Sequence, residues 1–76
     1  MRVSYKKLWK LLIDKDMSKG QMRQKSGITT NSLAKLGKDE AVRVDVLAKI
    51  CGALNCNIED IVEVIPDEEE QSNGER

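Results

Sequence analysis

Apolar residues recur at helical spacing in successive stretches of this chain, and a small polar residue stands just ahead of most of them. In the first stretch Tyr5, Leu8, Leu11 and Leu12, with Trp9 beside them, form a broad stripe, while Lys6, Lys7 and Lys10 lie off it. Ser4 as cap, with Val3 and Leu8 as the apolar pair around it, predicts a helix from Ser4 to about Asp14. In the second, Ser18 and Gln21 have the spacing of a capping box, flanked by Met17 and Met22 as a hydrophobic staple. That helix runs to about Ser26 and stops at Gly27, which can take the left-handed conformation that closes a helix. Ile28, Thr29 and Leu33 repeat the opening signal at once, predicting a third helix that ends at Gly37. Lys38-Asp39-Glu40-Ala41 then reads as a charged loop.

Val44, Leu47, Ile50, Cys51 and Leu54 predict a longer helix from about Val44 to Leu54, ended by Asn55 or its neighbour. The residue at its cap position, Arg43, is a poor N-cap. Either the helix starts a residue or two elsewhere, or Arg43 holds a ligand that satisfies the free N–H groups there. Asn57, with Cys56 and Ile61 in the staple positions and Asp60 behind it, opens a last short helix. Ile61 to Ile65 is β-branched, and its later residues predict a short strand for which Met1-Arg2-Val3 is the available partner. Pro66 ends the regular structure, and DEEEQSNGER beyond it has no apolar residue, which predicts a disordered tail. The expected organisation is a domain over residues 1–65 and an acidic tail over 66–76. The fold class is all-α, five helices with a short terminal strand pair.

Size and charge narrow the function. A chain of 76 residues is bounded to one small domain; such a domain buries only about 60% of the surface its unfolded form exposes. No apolar run approaches the ~18 residues of a membrane span, and Met1-Arg2-Val3 does not open a signal peptide, so a soluble, cytoplasmic protein without a membrane partner is expected. Cys51 and Cys56, with no His in the chain, cannot make a four-ligand zinc site within one molecule and read as free thiols; no metal and no cofactor is expected. Lacking His, a nucleophile paired with a base, or a phosphate-cradling glycine loop, the chain does not read as an enzyme. The formal net charge of zero hides a segregation. Residues 2–49 hold 12 Lys and Arg against five Asp and Glu, whereas residues 66–76 hold one Arg against five acids. A basic body of this kind suits a polyanion.

Two short helices joined by a three- or four-residue turn at Gly27 make a helix-turn-helix, whose second helix has the size to enter a DNA major groove. With Met17-Ser18-Lys19 opening the motif, Met22 in its core, Gly27-Ile28-Thr29 at the turn, Leu33 and Leu36 in the second helix, and Lys49-Ile50-Cys51-Gly52-Ala53-Leu54-Asn55 further on, the chain resembles the lambda-repressor-like, or Cro/repressor-type (XRE), helix-turn-helix family over Tyr5 to Val62. Arg23, where the family usually has Ala, Ser26 in place of a common aliphatic, and Leu12 in place of a common Arg depart from the pattern, and Gly20 lies inside a predicted helix.

The resemblance implies a five-helix transcriptional regulator and places Thr30, Asn31 and Lys35 at base-reading positions, with Ser32 as a phosphate or base contact. Asn31 has the donor and acceptor to pair with adenine N6 and N7, Lys35 can donate to guanine O6 and N7, and the Thr30 methyl suits a thymine methyl. An ordinary solvated helix face is the competing reading of the same residues. Phosphate contacts are expected from Ser18 and Lys19, where the helix start offers free N–H groups, and from Lys38 and Arg43 on the other side of the groove. Trp9 and Tyr5 read as core or partial core, with base stacking as the alternative.

The expected partner is therefore double-stranded DNA, and the expected function sequence-specific transcriptional regulation, most simply repression by occupying an operator. A homodimer is expected, formed on DNA if not before, since this motif commonly works as two copies a helical turn apart. Ile61 to Ile65 serves either as its interface or as cover for the chain's own core. The alternative function is a protein-interaction module, such as an antitoxin-like or anti-repressor partner, with the acidic end on a basic surface.

Overall fold

Ten side chains between Tyr5 and Ile61 meet in one core: Tyr5, Leu8 and Leu12 from the first helix region, Met22, Ile28 and Leu36 from the motif, and Leu47, Ile50, Leu54 and Ile61 from the C-terminal half. The computed structural model describes residues 2–66. Around that core run strand β1 (Arg2–Ser4), helices α1 (Lys6–Asp14), α2 (Lys19–Ser26), α3 (Thr30–Gly37) and α4 (Val44–Leu54), a 3-10 turn (Ile58–Asp60) and strand β2 (Glu63–Ile65). The strands pair antiparallel, with Arg2 opposite Ile65, Val3 opposite Val64 and Ser4 opposite Glu63, so the two ends of the domain are stitched together. Helix α2 packs chiefly on α4 and carries α3 against the same body.

Each helix ends on a left-handed residue: Asp16 (φ 56°) after α1, Gly27 (φ 81°) after α2, Asp39 (φ 57°) after α3 and Asn55 (φ 56°) after α4. Three of these four are not glycine. After α1 the Met17 N–H donates to the Leu12 carbonyl at 2.9 Å and the Asp16 N–H to Ile13 at 3.0 Å, which is the paired bonding of a Schellman motif. After α3 the Glu40 N–H reaches the Lys35 carbonyl at 2.9 Å and the Asp39 N–H reaches Leu36 at 3.2 Å in the same way. Gly37 is thus the last residue of α3, as the sequence predicts, but the reversal that follows it is made by Asp39.

Three expectations need correction, and one open alternative is settled. Ser4 is not the cap of α1. It belongs to β1, and the helix starts a residue later with Tyr5 at the cap, Ser4 Oγ only accepting the Lys6 N–H at 3.3 Å. The helices number four, not five, because the three residues between Asn57 and Ile61 form only a 3-10 turn before Ile61 drops into the core and the chain leaves as a strand. Val44, in phase with the α4 stripe, is 69% exposed; the half-buried Val46 packs on the core from that turn instead. Lastly, α4 begins where expected with Arg43 as its cap, so the reading in which it starts elsewhere is closed. The expected acidic tail lies, beyond Pro66, outside the described residues.

Ile61 is fully buried in its own core, whereas Val64 is 56% exposed on the strand pair. The departures from the family pattern are absorbed quietly: Leu12 joins the core, and the Ser26 hydroxyl donates to the Arg23 carbonyl at 3.3 Å while accepting the Ile28 N–H at 3.5 Å, bonding across the end of α2.

Candidate nucleic-acid interface

Short-range hydrogen bonds set the motif. At the start of α2 the Ser18 Oγ accepts the Gln21 N–H at 3.1 Å and the Gln21 side chain accepts the Ser18 N–H at 2.8 Å, completing the box. At the start of α3 the Thr29 Oγ1 accepts the Ser32 N–H at 3.0 Å. Gly27 turns the chain between them, and the burial of Met22, Ile28 and Leu36 fixes both helices on the body. With the inward side of α3 tied down at Leu36 and Leu33, the opposite side is committed to solvent.

That outward side holds Thr30, Asn31 and Lys35, all exposed, and a fourth residue not anticipated, Ala34. At roughly 100° per residue the four cover a continuous arc of about 140°, with Ala34 between Thr30 and Asn31. A methyl at the centre of this face lets the helix approach closely without adding a polar group to satisfy. The signal was present in the sequence, since Ala34 is four residues after Thr30 and three after Asn31. Ser32 is turned aside: it is half-buried, and its hydroxyl accepts from the Thr29 hydroxyl at 3.1 Å.

Three cations outside this strip are exposed. Lys19 stands exposed at the first turn of α2, its Nζ 4.4 Å from the centroid of the half-buried Trp9 ring. Lys38 is exposed at the end of α3. Arg43 is exposed too, and its Nε lies 3.2 Å from Asp45 Oδ1, a surface pairing of the kind worth about 0 to 1 kcal/mol. Guanidinium donors remain beyond that contact.

The loop that carries Lys38 is held from far away in sequence. The Tyr5 N–H donates to Asp39 Oδ1 at 3.2 Å, and the Tyr5 hydroxyl donates to the Glu40 carbonyl at 2.8 Å. Burial pushes the Tyr5 phenol above its ordinary 10.0, opposed by a backbone hydrogen bond from Val42 and reinforced by the Asp39 carboxylate. Nothing in the spacing of Tyr5 announced this role.

A second basic surface lies elsewhere, in an open groove of about 430 Å³ lined by Lys7, Lys10, Lys15, Asp14, Cys56 and Asp60 among others. Cys51 and Cys56 are free thiols at the end of α4. The Cys56 thiol is pushed up to about 11, by burial first, then by the neighbouring Cys51 and Asp60. Among the described residues no group of three or more His, Cys, Asp or Glu side chains is placed to hold a metal ion, and no helix is long and apolar enough to cross a membrane.

Comparison with known proteins agrees with the geometry. The Cro/C1-type HTH DNA-binding domain matches residues 7–67. Among solved structures, the crystal structure of the transcriptional regulator VanUg (Form II) is similar, with 55% sequence identity and a TM-score of 0.83 over 87% of this chain and 88% of that one. No curated protein gives a match. With most of its length inside the family pattern and the motif geometry intact, this chain belongs to the Cro/C1-type helix-turn-helix family of DNA-binding regulators.

Proposed function

We propose that this protein is a transcriptional repressor that acts by occupying its operator. The observation that carries the reading is the outward face of α3, where Thr30, Asn31, Ala34 and Lys35 form one solvent-exposed strip on a helix fixed from behind. Thr30, Asn31 and Lys35 read base edges, Asn31 at adenine and Lys35 at guanine. Ser32, engaged with Thr29, serves at the phosphate edge of the groove. Ser18 and Lys19 at the start of α2 seat one strand's phosphates, and Lys38 and Arg43 the other's.

One copy presents only this single strip, so two copies bind as a homodimer on half-sites about one helical turn apart. Within the Ile61–Ile65 segment Ile61 is buried at home, and Val64, 56% exposed on the strand pair, is the apolar residue that meets the second copy. Residues 2–66 suffice for DNA binding, and the acidic tail is a separate, non-reading segment.

The test compares a duplex enriched by selection from random sequence with an unselected one. Asn31→Ala and Lys35→Ala should each cost about 1 to 3 kcal/mol on the selected duplex and relax its sequence preference, while Lys19→Ala and Arg43→Ala weaken both duplexes alike and each lower the salt slope by about one unit. Equal losses on both duplexes for Asn31→Ala would remove it from the reading set.

A further inference from the structure

We infer that Trp9 is a positioning residue for DNA binding: its ring holds the Lys19 ammonium in place at the start of α2, ready for a phosphate. The inference rests on the proposed DNA-reading mode. Lys19 Nζ stands 4.4 Å from the Trp9 ring centroid, well inside the ~6 Å reach of a cation–π contact. Trp9 is itself fixed, since it lies half-buried on α1 and packs against the core. A rigid platform on one helix therefore supports a flexible cation on another.

The choice of partner matters chemically. A carboxylate would also fix the lysine, but it would neutralise the charge and compete with an incoming phosphate. An aromatic face attracts the cation through its quadrupole while leaving the full positive charge in place. Because Trp9 covers only one side of the ammonium, N–H donors on the other side stay available. Ordering the long lysine side chain before binding removes part of the entropy that association would otherwise cost. On the same helix Leu8 and Leu12 are buried, whereas Trp9 is only half-buried and keeps part of its ring open to the Lys19 ammonium.

A double-mutant cycle tests this with the full chain. Duplex affinity is measured for wild type, Trp9→Leu, Lys19→Gln and the double variant, with Trp9→Phe as the conservative replacement and urea unfolding as a control on stability. Trp9→Leu should weaken binding about 2- to 5-fold when Lys19 is present and have no further effect in the Lys19→Gln background, and Trp9→Phe should restore most of the loss. Lys19→Gln should also shift the emission of the single tryptophan in the absence of DNA. A purely structural role for Trp9 would weaken both Lys19 backgrounds equally, and that result, or no effect of Trp9→Leu, overturns the inference while leaving the repressor reading intact. If wild type binds no duplex at all, it is the repressor reading that fails, and the positioning role falls with it.

Discussion

The two helices of the motif and the two helices that flank it begin in different ways. At α2 and α3 the cap is the residue's own side chain, with Ser18 bonded to Gln21 and Thr29 to Ser32, each within three residues. At α1 and α4 the caps are Tyr5 and Arg43, and neither makes a side-chain capping bond. Tyr5 instead gives its N–H to Asp39, 34 residues away, and its hydroxyl to Glu40. At α4 the acidic Asp45 in the first turn faces the positive end of the helix and draws in Arg43. The motif is thus written into a short stretch of chain, whereas the frame that holds it depends on contacts between distant segments. Thr30 and Asn31 are positioned by neighbours; Lys38 is positioned by Tyr5 across the molecule.

Breaking the frame should do the most damage. Tyr5→Ala removes a buried aromatic ring and should cost about 3 to 5 kcal/mol in urea unfolding, enough to threaten the whole domain, motif included. Tyr5→Phe keeps the ring and isolates the hydrogen bond to Glu40, with an expected cost of about 1 kcal/mol. The same variant has a pH signature. Because burial holds the Tyr5 pKa above 10.0 in the folded protein, the folded state keeps a proton that the unfolded chain has begun to lose. Wild-type stability from this group is full below pH 10 and is lost as pH rises through the folded value. The difference in stability between wild type and Tyr5→Phe should therefore shrink or reverse at alkaline pH, with Cys56 titrating in both. A constant difference from pH 7 upward would contradict the burial that holds the Tyr5 phenol protonated.

The motif caps come next in size. Ser18→Ala and Thr29→Ala should each cost about 1 kcal/mol, and amide exchange should rise in the first turn of the helix concerned while α1 stays protected. Exchange rising uniformly across the domain would show that the motif is no more locally defined than its frame. The smallest effect is a gain. Gly52 lies exposed in the interior of α4, and a Cβ there meets nothing within 4 Å. Gly52→Ala should add about 0.5 to 1 kcal/mol of stability through helix propensity and leave duplex affinity unchanged.

The same contrast explains what could be read from the sequence. The boundaries of α2 and α3 were legible because cap, staple and Gly27 all lie within a few residues of one another. The strand pair was legible from β-branched residues with a single partner segment available. Ser4 misled because a serine before an apolar stripe looks like a cap whether or not the backbone there is already committed to a strand, and that commitment comes from Glu63 at the other end of the chain. The left-handed turns at Asp16 and Asp39 carried no glycine to mark them. Asp39 is kept there although it is not glycine, and its carboxylate is what receives the Tyr5 N–H. At the candidate interface, the family resemblance picked out Thr30, Asn31 and Lys35, with Ser32 beside them, while helical spacing set polar residues opposite Leu33 and Leu36 and could have included Ala34. The Lys19 and Trp9 contact joins two helices and had no signal in the spacing.

The most direct test of the central claim, that the outward strip of α3 is the DNA-reading surface, is an amide NMR titration of the full chain with the selected duplex. The largest shifts should fall on Thr30, Asn31, Ala34 and Lys35, with a second group at Ser18 and Lys19. Shifts concentrated instead at Lys7, Lys10 and Cys56, around the other basic groove, with α3 unmoved, would contradict the account.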